Sequence, residues 1–280
     1  MKEFLLNEKS LDGQFDSVDE FYDTLPEMSH NLKILKSNDV ALQKHSSLYR
    51  RKITKDISLF DLQNKKGHVA PAQRDKLNMW KRQISALMST PPFWDGGIDQ
   101  SEDSVHEAAR RNADVLSFSH DLYRDKILTV SCENKMCAVR SLVSTGYLTE
   151  AMFQRGYIGR TEYIRQRYWD GRIRTMYIDE ETHTVDELEK QELEELIAGL
   201  ERFEKALTWK EITADRFFDY KSYQPSSTKY DVFANGRFAD KRIDKFRCGQ
   251  HSQVRCFGYR EGEQFYVLRV ERDHSYSDHG

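Results

Sequence analysis

Four residues near the C-terminus have side chains that suit the cleavage of RNA without a metal ion. Arg255 lies in one β-rich run, VRCFGY, and Arg272, His274 and Tyr276 follow the next, QFYVLRV. Such cleavage requires a base for the 2′-hydroxyl, cations for the growing phosphate charge, and an acid for the leaving 5′-oxygen. Arginine offers fixed bidentate donors to the phosphate, and histidine or tyrosine can transfer the protons. We therefore predict these four residues as catalytic.

A second group of candidates combines arginine with aromatic residues. Residues 140–174 hold seven arginines and three carboxylates, and six aromatic residues are interleaved with them. Arginine binds phosphates and aromatic rings stack on bases, so this composition is typical of a nucleic-acid surface. The predicted contacts are Arg160, Arg165, Arg167 and Arg172. The same composition also lines contacts between protein subunits, and both interpretations stay open.

Several function classes are disfavoured. The chain has no phosphate-binding glycine loop, no dinucleotide fingerprint, no nucleophile elbow and no zincin motif. Its four cysteines are spaced C-x4-C and C-x7-C, which fits structural zinc poorly. We therefore predict no metal site and no cofactor. The cysteine content and the lack of a signal peptide or a long apolar run predict a cytoplasmic protein without membrane contact.

Local patterns predict the helices that must position these residues. Capping boxes begin at Ser17, Ser104 and Thr184, and the third is predicted to open the longest helix. The apolar stripe of that helix runs from Leu188 to Leu207. Residues 74–89 carry another helical stripe, and residues 137–143 also read as helical. The basic segment 49–53, YRRKI, fits either a short strand or an exposed turn.

The strand signals are concentrated in the C-terminal part. Residues 254–259 and 264–270 are rich in β-branched and aromatic residues, and Gly262 lies between them, so a hairpin is predicted. Along residues 255–259, side-chain alternation places Arg255, Phe257 and Tyr259 on one face and Cys256 and Gly258 on the other. Residues 127–132 are predicted as a buried strand and residues 173–178 as a further strand. Eight basic residues and three aspartates lie within 229–260.

Residues 172–280 resemble the RelE/YoeB group of ribosome-associated toxins. The resemblance rests on the order of a strand, two helical stretches and a hairpin that ends in RVERDHSY. It implies that Arg255 binds the scissile phosphate. It also implies that Arg272, His274 and Tyr276 serve in phosphate contact, proton transfer and base stacking. Lys245 and Arg247 lie where the family often has basic residues, which makes them candidate nucleic-acid contacts.

Together these features predict an α+β protein. Residues 1–170 are expected to be mostly helical, and residues 171–280 to form a small antiparallel sheet domain of RelE-like type. The expected function is RNA binding, with cleavage as a metal-independent endoribonuclease, in a bacterial toxin or antiphage defence system. RNA is expected rather than DNA, together with a protein partner or antitoxin. The alternative is a non-catalytic interaction subunit that uses the same fold to hold a protein or a nucleic acid.

Overall fold

A computed structural model describes residues 2–64, 71–81, 90–96, 103–132, 135–178, 184–225, 231 and 233–272. The chain divides into two compact units, residues 1–157 and 158–280. The sequence placed this division after residue 170. Both units contain helices and a five-stranded sheet, so the protein is of mixed α and β structure.

The sheet of the first unit is mostly parallel. Its strands are β1 (Glu3–Leu6), β2 (Ala41–Gln43), β3 (Val115–Leu116), β4 (Lys126–Cys132) and β5 (Lys135–Leu142). They lie in the order β2-β1-β3-β5-β4, and only β4 runs antiparallel to its neighbour. The expected mostly helical front is therefore replaced by helices on a sheet. Three of these strands have only two to four residues, too short for a period-two pattern to be recognised.

Five α-helices accompany this sheet among the described residues. They are α1 (Val18–Ser37), α2 (Leu59–Asn64), α3 (Pro71–Met79), α4 (Ser104–Arg110) and α5 (Thr145–Gln154). Leu77 and Trp80 of the predicted 74–89 helix are buried, and residues 82–89 lie outside the described part. The segment Ser46–Arg50 forms a 3-10 helix. The basic residues 50–52 thus lie at a helix end rather than in a strand.

The predicted helix starts are borne out in part. The Ser17 hydroxyl accepts from the Glu20 amide at 3.1 Å and caps α1. The cap of α4 is Asp103 rather than Ser104, because the Asp103 carboxylate accepts from two first-turn amides at 3.0 Å. A carboxylate can serve both amides, and its charge also complements the helix dipole.

The hairpin β4–β5 departs from two predictions. Residues 127–132 do form a strand, but β4 is an edge strand and most of its side chains are exposed or half-exposed. The predicted helical segment 137–143 is not a helix, because residues 137–142 form most of β5. This strand lies between β3 and β4 and is increasingly buried toward its end, so its apolar residues do not alternate regularly.

The sheet of the second unit is mostly antiparallel. Its strands are β6 (Ile173–Arg174), β7 (Lys221–Ser222), β8 (Asp244–Arg247), β9 (Arg255–Glu261) and β10 (Gln264–Glu271). The order is β6-β10-β9-β8-β7, and β6 runs parallel to β10. The predicted hairpin is confirmed as β9–β10, with Gly262 in the left-handed region at φ 59°. The predicted strand 173–178 is limited to its first two residues.

Four helices belong to this unit in the described part of the chain. They are α6 (Arg160–Arg167), α7 (Thr184–Glu187), α8 (Lys190–Lys205) and α9 (Trp209–Ala214). The predicted long helix is thus split into α7 and α8, and α1 with 20 residues exceeds the 16 of α8. Phe203 of α8 packs against Phe246 and Phe265 of the sheet at ring-centroid distances of 4.9 and 5.7 Å. Leu207 lies beyond the helix and is 80% exposed.

None of the described helices combines the length and the apolar character needed to cross a bilayer.

Candidate nucleic-acid interface

The second sheet has one face against α8 and one facing away from it. Strand pairing aligns Arg247 with Arg255, and Arg255 with Glu271. It also aligns Lys245 with Phe257, and Tyr259 with Tyr266. Directly paired residues point to the same side of a sheet. We define the outer face by these residues: Lys245, Arg247, Arg255, Phe257, Tyr259, Glu261, Tyr266, Arg269 and Glu271.

One end of the outer face concentrates charge. Arg255 and Arg269 are only 8% and 6% exposed. Arg269 donates to the Glu271 carboxylate at 2.8 Å, and Arg247 lies 3.4 Å from the Asp219 carboxylate. Like charges directly opposite each other on neighbouring strands are unfavourable, and Arg247 and Arg255 form such a pair. Burial and then the Arg247 charge lower the pKa of Arg255.

The other end of the outer face is aromatic. Tyr259 and Tyr266 stack with ring centroids 4.9 Å apart and an interplanar angle of 6°. Tyr177 stacks on Tyr266 at 6.0 Å. Tyr259 is buried, whereas Tyr177 and Tyr266 are half-buried. Burial, followed by the Glu261 charge and the neighbouring tyrosines, raises the pKa of Tyr259 to about 12.

Cations lie over these rings. The Arg237 guanidinium carbon is 4.4 Å from the centroid of Tyr177, and the Lys241 ammonium is 5.0 Å from that of Tyr259. Lys245 lies 5.9 Å from the ring of Phe257. Arg237, Lys241, Lys245 and Arg247 are exposed or half-exposed. Phe257 and Tyr259 are buried, so the partly exposed rings near these cations are those of Tyr177 and Tyr266. Positive charge beside partly exposed rings suits phosphates and bases.

The predicted catalytic residues are not all brought together. The Arg272 guanidinium binds Glu192 and Glu189 at the start of α8, at 3.1 and 3.3 Å. Arg255 lies on the opposite side of the sheet, where it donates to the Gln253 carbonyl at 3.0 Å. Arg255 and Arg272 therefore do not share an open site. His274 and Tyr276 lie outside the described residues.

The predicted arginine contacts of the 140–174 block have partners within the chain. These are Glu162 for Arg165 at 2.9 Å, Glu201 for Arg167 at 2.8 Å, Glu263 for Arg172 at 3.2 Å, and the carbonyls of Asp186 and Leu188 for Arg160. In the first unit, Arg140 and Arg155 both bind the buried Asp114, at 2.8 and 2.6 Å. These contacts favour a structural role for the block.

Sequence reasoning missed several residues of the interface. Strand alternation placed Tyr259 on the face of Arg255, and its extension could have added Glu261, with Tyr266 and Glu271 across the hairpin. No local signal could have found Asp219 or Tyr177, because they reach this face from distant parts of the chain.

Within the residues that the structure describes, no group of three or more histidine, cysteine, aspartate or glutamate residues is arranged to hold a metal ion. Comparison with known proteins adds no family: no family model, no curated protein and no solved structure matches this chain.

Proposed function

We propose that the second unit binds single-stranded RNA along the outer face of its sheet. The observation that carries this proposal is the row of cations lying over an aromatic cluster. Arg237, Lys241 and Lys245 lie 4.4 to 5.9 Å from the ring centroids of Tyr177, Tyr259 and Phe257. The exposed ends of these cations suit phosphates, and the exposed parts of the Tyr177 and Tyr266 rings suit contact with unpaired bases.

The buried charges support this surface rather than forming its contacts. Arg255 and Arg269 are almost fully covered, so a phosphate would meet Arg247 and Lys245 first. The two buried arginines add positive potential from beneath, and Glu271 and Asp219 balance part of it. The preference for RNA over DNA rests on the resemblance to the RelE/YoeB toxins.

That resemblance extends the proposal to RNA cleavage and to a place in a toxin or antiphage system. Arg255 and Arg272 lie on opposite faces of the sheet. RNA binding is therefore the function that the geometry supports best, and cleavage is a separate outcome for the experiment. The second candidate is recognition of an acidic protein segment, because the exposed or half-exposed cations Arg237, Lys241 and Lys245 suit carboxylates as well as phosphates.

The proposal is tested by the salt dependence of RNA binding. Binding of the 280-residue chain to a fluorescent RNA of about 20 nucleotides would be followed by anisotropy between about 50 and 200 mM KCl. For single strands, the logarithm of the binding constant falls by about 0.7 per neutralised phosphate and unit of log salt. Lys241→Ala combined with Lys245→Ala should therefore flatten the slope by about 1.4.

Lys190→Ala combined with Lys210→Ala removes the same charge from the helical side and is the matched control. Equal slopes for both double variants would refute the assignment of the surface. Tight binding of an acidic peptide without RNA binding would favour the second candidate. Shortened RNA with 2′,3′-cyclic phosphate ends, formed in the presence of EDTA, would add cleavage to the function.

A further inference from the structure

The carboxyl ends of β1 and β2 in the first unit lead into a group of buried polar residues. Parallel strands end at the same edge of a sheet, and such edges commonly hold ligand sites. Here β1 is followed by Asn7 and Glu8, and β2 by Lys44, His45 and Ser47, all buried. The RNA-binding proposal for the second unit uses none of these residues.

Ser47 and His45 form a hydrogen-bonded hydroxyl and imidazole, and the Asp95 carboxylate lies on the other side of the ring. The Ser47 Oγ lies 2.6 Å from His45 Nδ1, and the Ser47 backbone amide lies 3.1 Å from the same nitrogen. Since an amide can only donate, Nδ1 must be the unprotonated nitrogen. The proton is then on Nε2, which faces the Asp95 carboxylate at 3.8 Å. A hydroxyl on a basic nitrogen, with a carboxylate behind the ring, is the arrangement of an activated nucleophile.

Ser47 also lines an open cleft. The cleft has a volume of about 500 Å³ and is lined by Asp12, Gly13, Ser47, Arg50, Arg51 and Lys52. Arg50 and Lys52 are exposed, and Arg51 is half-buried, 3.2 Å from Asp12. The volume falls in the range of small-molecule sites. Three consecutive cations that line one cleft with a serine suit a substrate whose reacting group carries negative charge.

We propose that this cleft binds a phosphate ester and that Ser47 is the nucleophile that attacks its phosphorus. In the first step the Ser47 Oγ–P bond forms, the P–O bond to the alcohol breaks, and His45 moves the serine proton to the leaving oxygen. In the second step water attacks the phosphoserine, His45 takes a proton from the water, and the Oγ–P bond breaks. Inorganic phosphate leaves, and the proton returns to Ser47. Arg50, Arg51 and Lys52 balance the phosphate charge throughout.

The competing explanation is that His45 only caps the 3-10 helix Ser46–Arg50. A cap accounts for the bond from the Ser47 amide. The Asp95 carboxylate accepts from the Ser46 amide and hydroxyl at 3.0 and 2.5 Å, so it also stabilises this helix start. A cap does not require the three cations that line the cleft together with Ser47. The two explanations also differ in the reactivity that they predict for Ser47.

The test is covalent labelling of the full-length protein with a biotinylated fluorophosphonate, a phosphorus electrophile with fluoride as leaving group. We expect one adduct at Ser47, located by tandem mass spectrometry, and none in Ser47→Ala. His45→Gln should slow labelling about 10²–10⁴-fold through the lost general base. Ser37→Ala, at the end of α1, is the control and should label at the wild-type rate. The rates of p-nitrophenyl phosphate hydrolysis should rank wild type and the variants in the same order as their labelling rates do.

Inorganic phosphate should protect wild-type Ser47 from the probe, and Arg50→Ala combined with Lys52→Ala should weaken that protection about tenfold. Circular dichroism would confirm that each variant is folded. The proposal is overturned if folded wild-type protein forms no adduct at Ser47, or if His45→Gln labels as fast as wild type. Labelling without phosphate protection would overturn the phosphate-ester assignment.

Discussion

Lys44 is a charged residue in the core of the first unit. Its side chain is 2% exposed, its ammonium donates to the Thr90 carbonyl, and it lies 5.3 Å from the centroid of the Phe93 ring. Burial disfavours the charged form and lowers the pKa of Lys44 from 10.5 to about 8. The folded protein therefore releases this proton at a lower pH than the unfolded chain does.

This difference predicts how stability depends on pH. Between about pH 8 and 10.5 the unfolded chain binds more protons at residue 44, so the free energy of unfolding gains a contribution that rises with pH. Lys44→Met should remove that rise, whereas Lys55→Met, at an exposed position, should keep it. Urea unfolding at pH 7.5, 9 and 10 would measure both. If the free energy of unfolding of Lys44→Met rose with pH as it does in wild type, the rise could not come from the buried ammonium of Lys44.

At the scale of single elements, Asp103 fixes the start of α4. Its carboxylate accepts from two helix amides and binds Lys9 at 2.6 Å and His106 at 2.9 Å. Although burial acts to raise it, the bonds from Lys9 and His106 hold the pKa of Asp103 at about 2. The stabilisation is therefore complete above the ordinary pKa near 3.8 and is lost as the pH falls through about 2.

Removal of this cap should be measurable. We expect Asp103→Ala to lower the free energy of unfolding by about 1–2 kcal/mol at pH 7, a typical value for a lost N-cap. Asp103→Asn keeps a capping oxygen and should lose less of the free energy of unfolding. The dependence of that free energy on acidic pH should disappear, because asparagine has no carboxylate to protonate. Urea unfolding at pH 7 and pH 3 would separate the two effects. An alanine variant as stable as wild type would show that α4 does not need the cap.

Helix α8 approaches the chain at Cys248 so closely that only glycine fits. A Cβ atom added to Gly199 would lie 2.8 Å from the Cα of Cys248. We expect Gly199→Ala to destabilise the protein by about 1–3 kcal/mol through overpacking. Gly146→Ala in α5 is the matched control, since nothing lies within 4 Å of its added Cβ. The control should be neutral or stabilising by up to about 1 kcal/mol, as measured by urea unfolding.

At the scale of the whole molecule, the four cysteines are divided between the two units. Cys132 and Cys137 belong to the first unit, and Cys248 and Cys256 to the second, where their sulfurs lie 3.5 Å apart. Burial and the neighbouring thiol raise the pKa of Cys256 well above its usual value. A thiol of this kind is a poor metal ligand, because metals bind the thiolate.

We therefore expect the purified protein to carry far less than one zinc ion per chain. Inductively coupled plasma mass spectrometry after dialysis against metal-free buffer would measure this. An excess of EDTA should leave the thermal unfolding temperature unchanged. Stoichiometric zinc, or a fall in that temperature with EDTA, would contradict the expectation.

The sequence by itself determined the features that depend on neighbours along the chain. The β-branched and aromatic content of two runs, with Gly262 between them, predicted the β9–β10 hairpin, and Ser17 predicted the start of α1. The shared face of Arg255, Phe257 and Tyr259 could be predicted because successive side chains of a strand point to opposite faces of the sheet. These signals act within a few residues, so the remainder of the fold hardly alters them.

Only the tertiary structure decided which strands are neighbours and which charges meet. The parallel pairing of β1 with β2 and β3 joins residues about 40 and 110 positions apart, and no local period encodes it. Arg255 and Arg272 are close in the hairpin sequence, yet they face opposite sides of the sheet. Most arginines of residues 140–174 form intramolecular ion pairs, and the carboxylates of Asp114, Glu201 and Glu263 in these pairs lie far along the chain. Long-range packing sets these contacts, because it alone fixes the distance between two charges and hence their interaction.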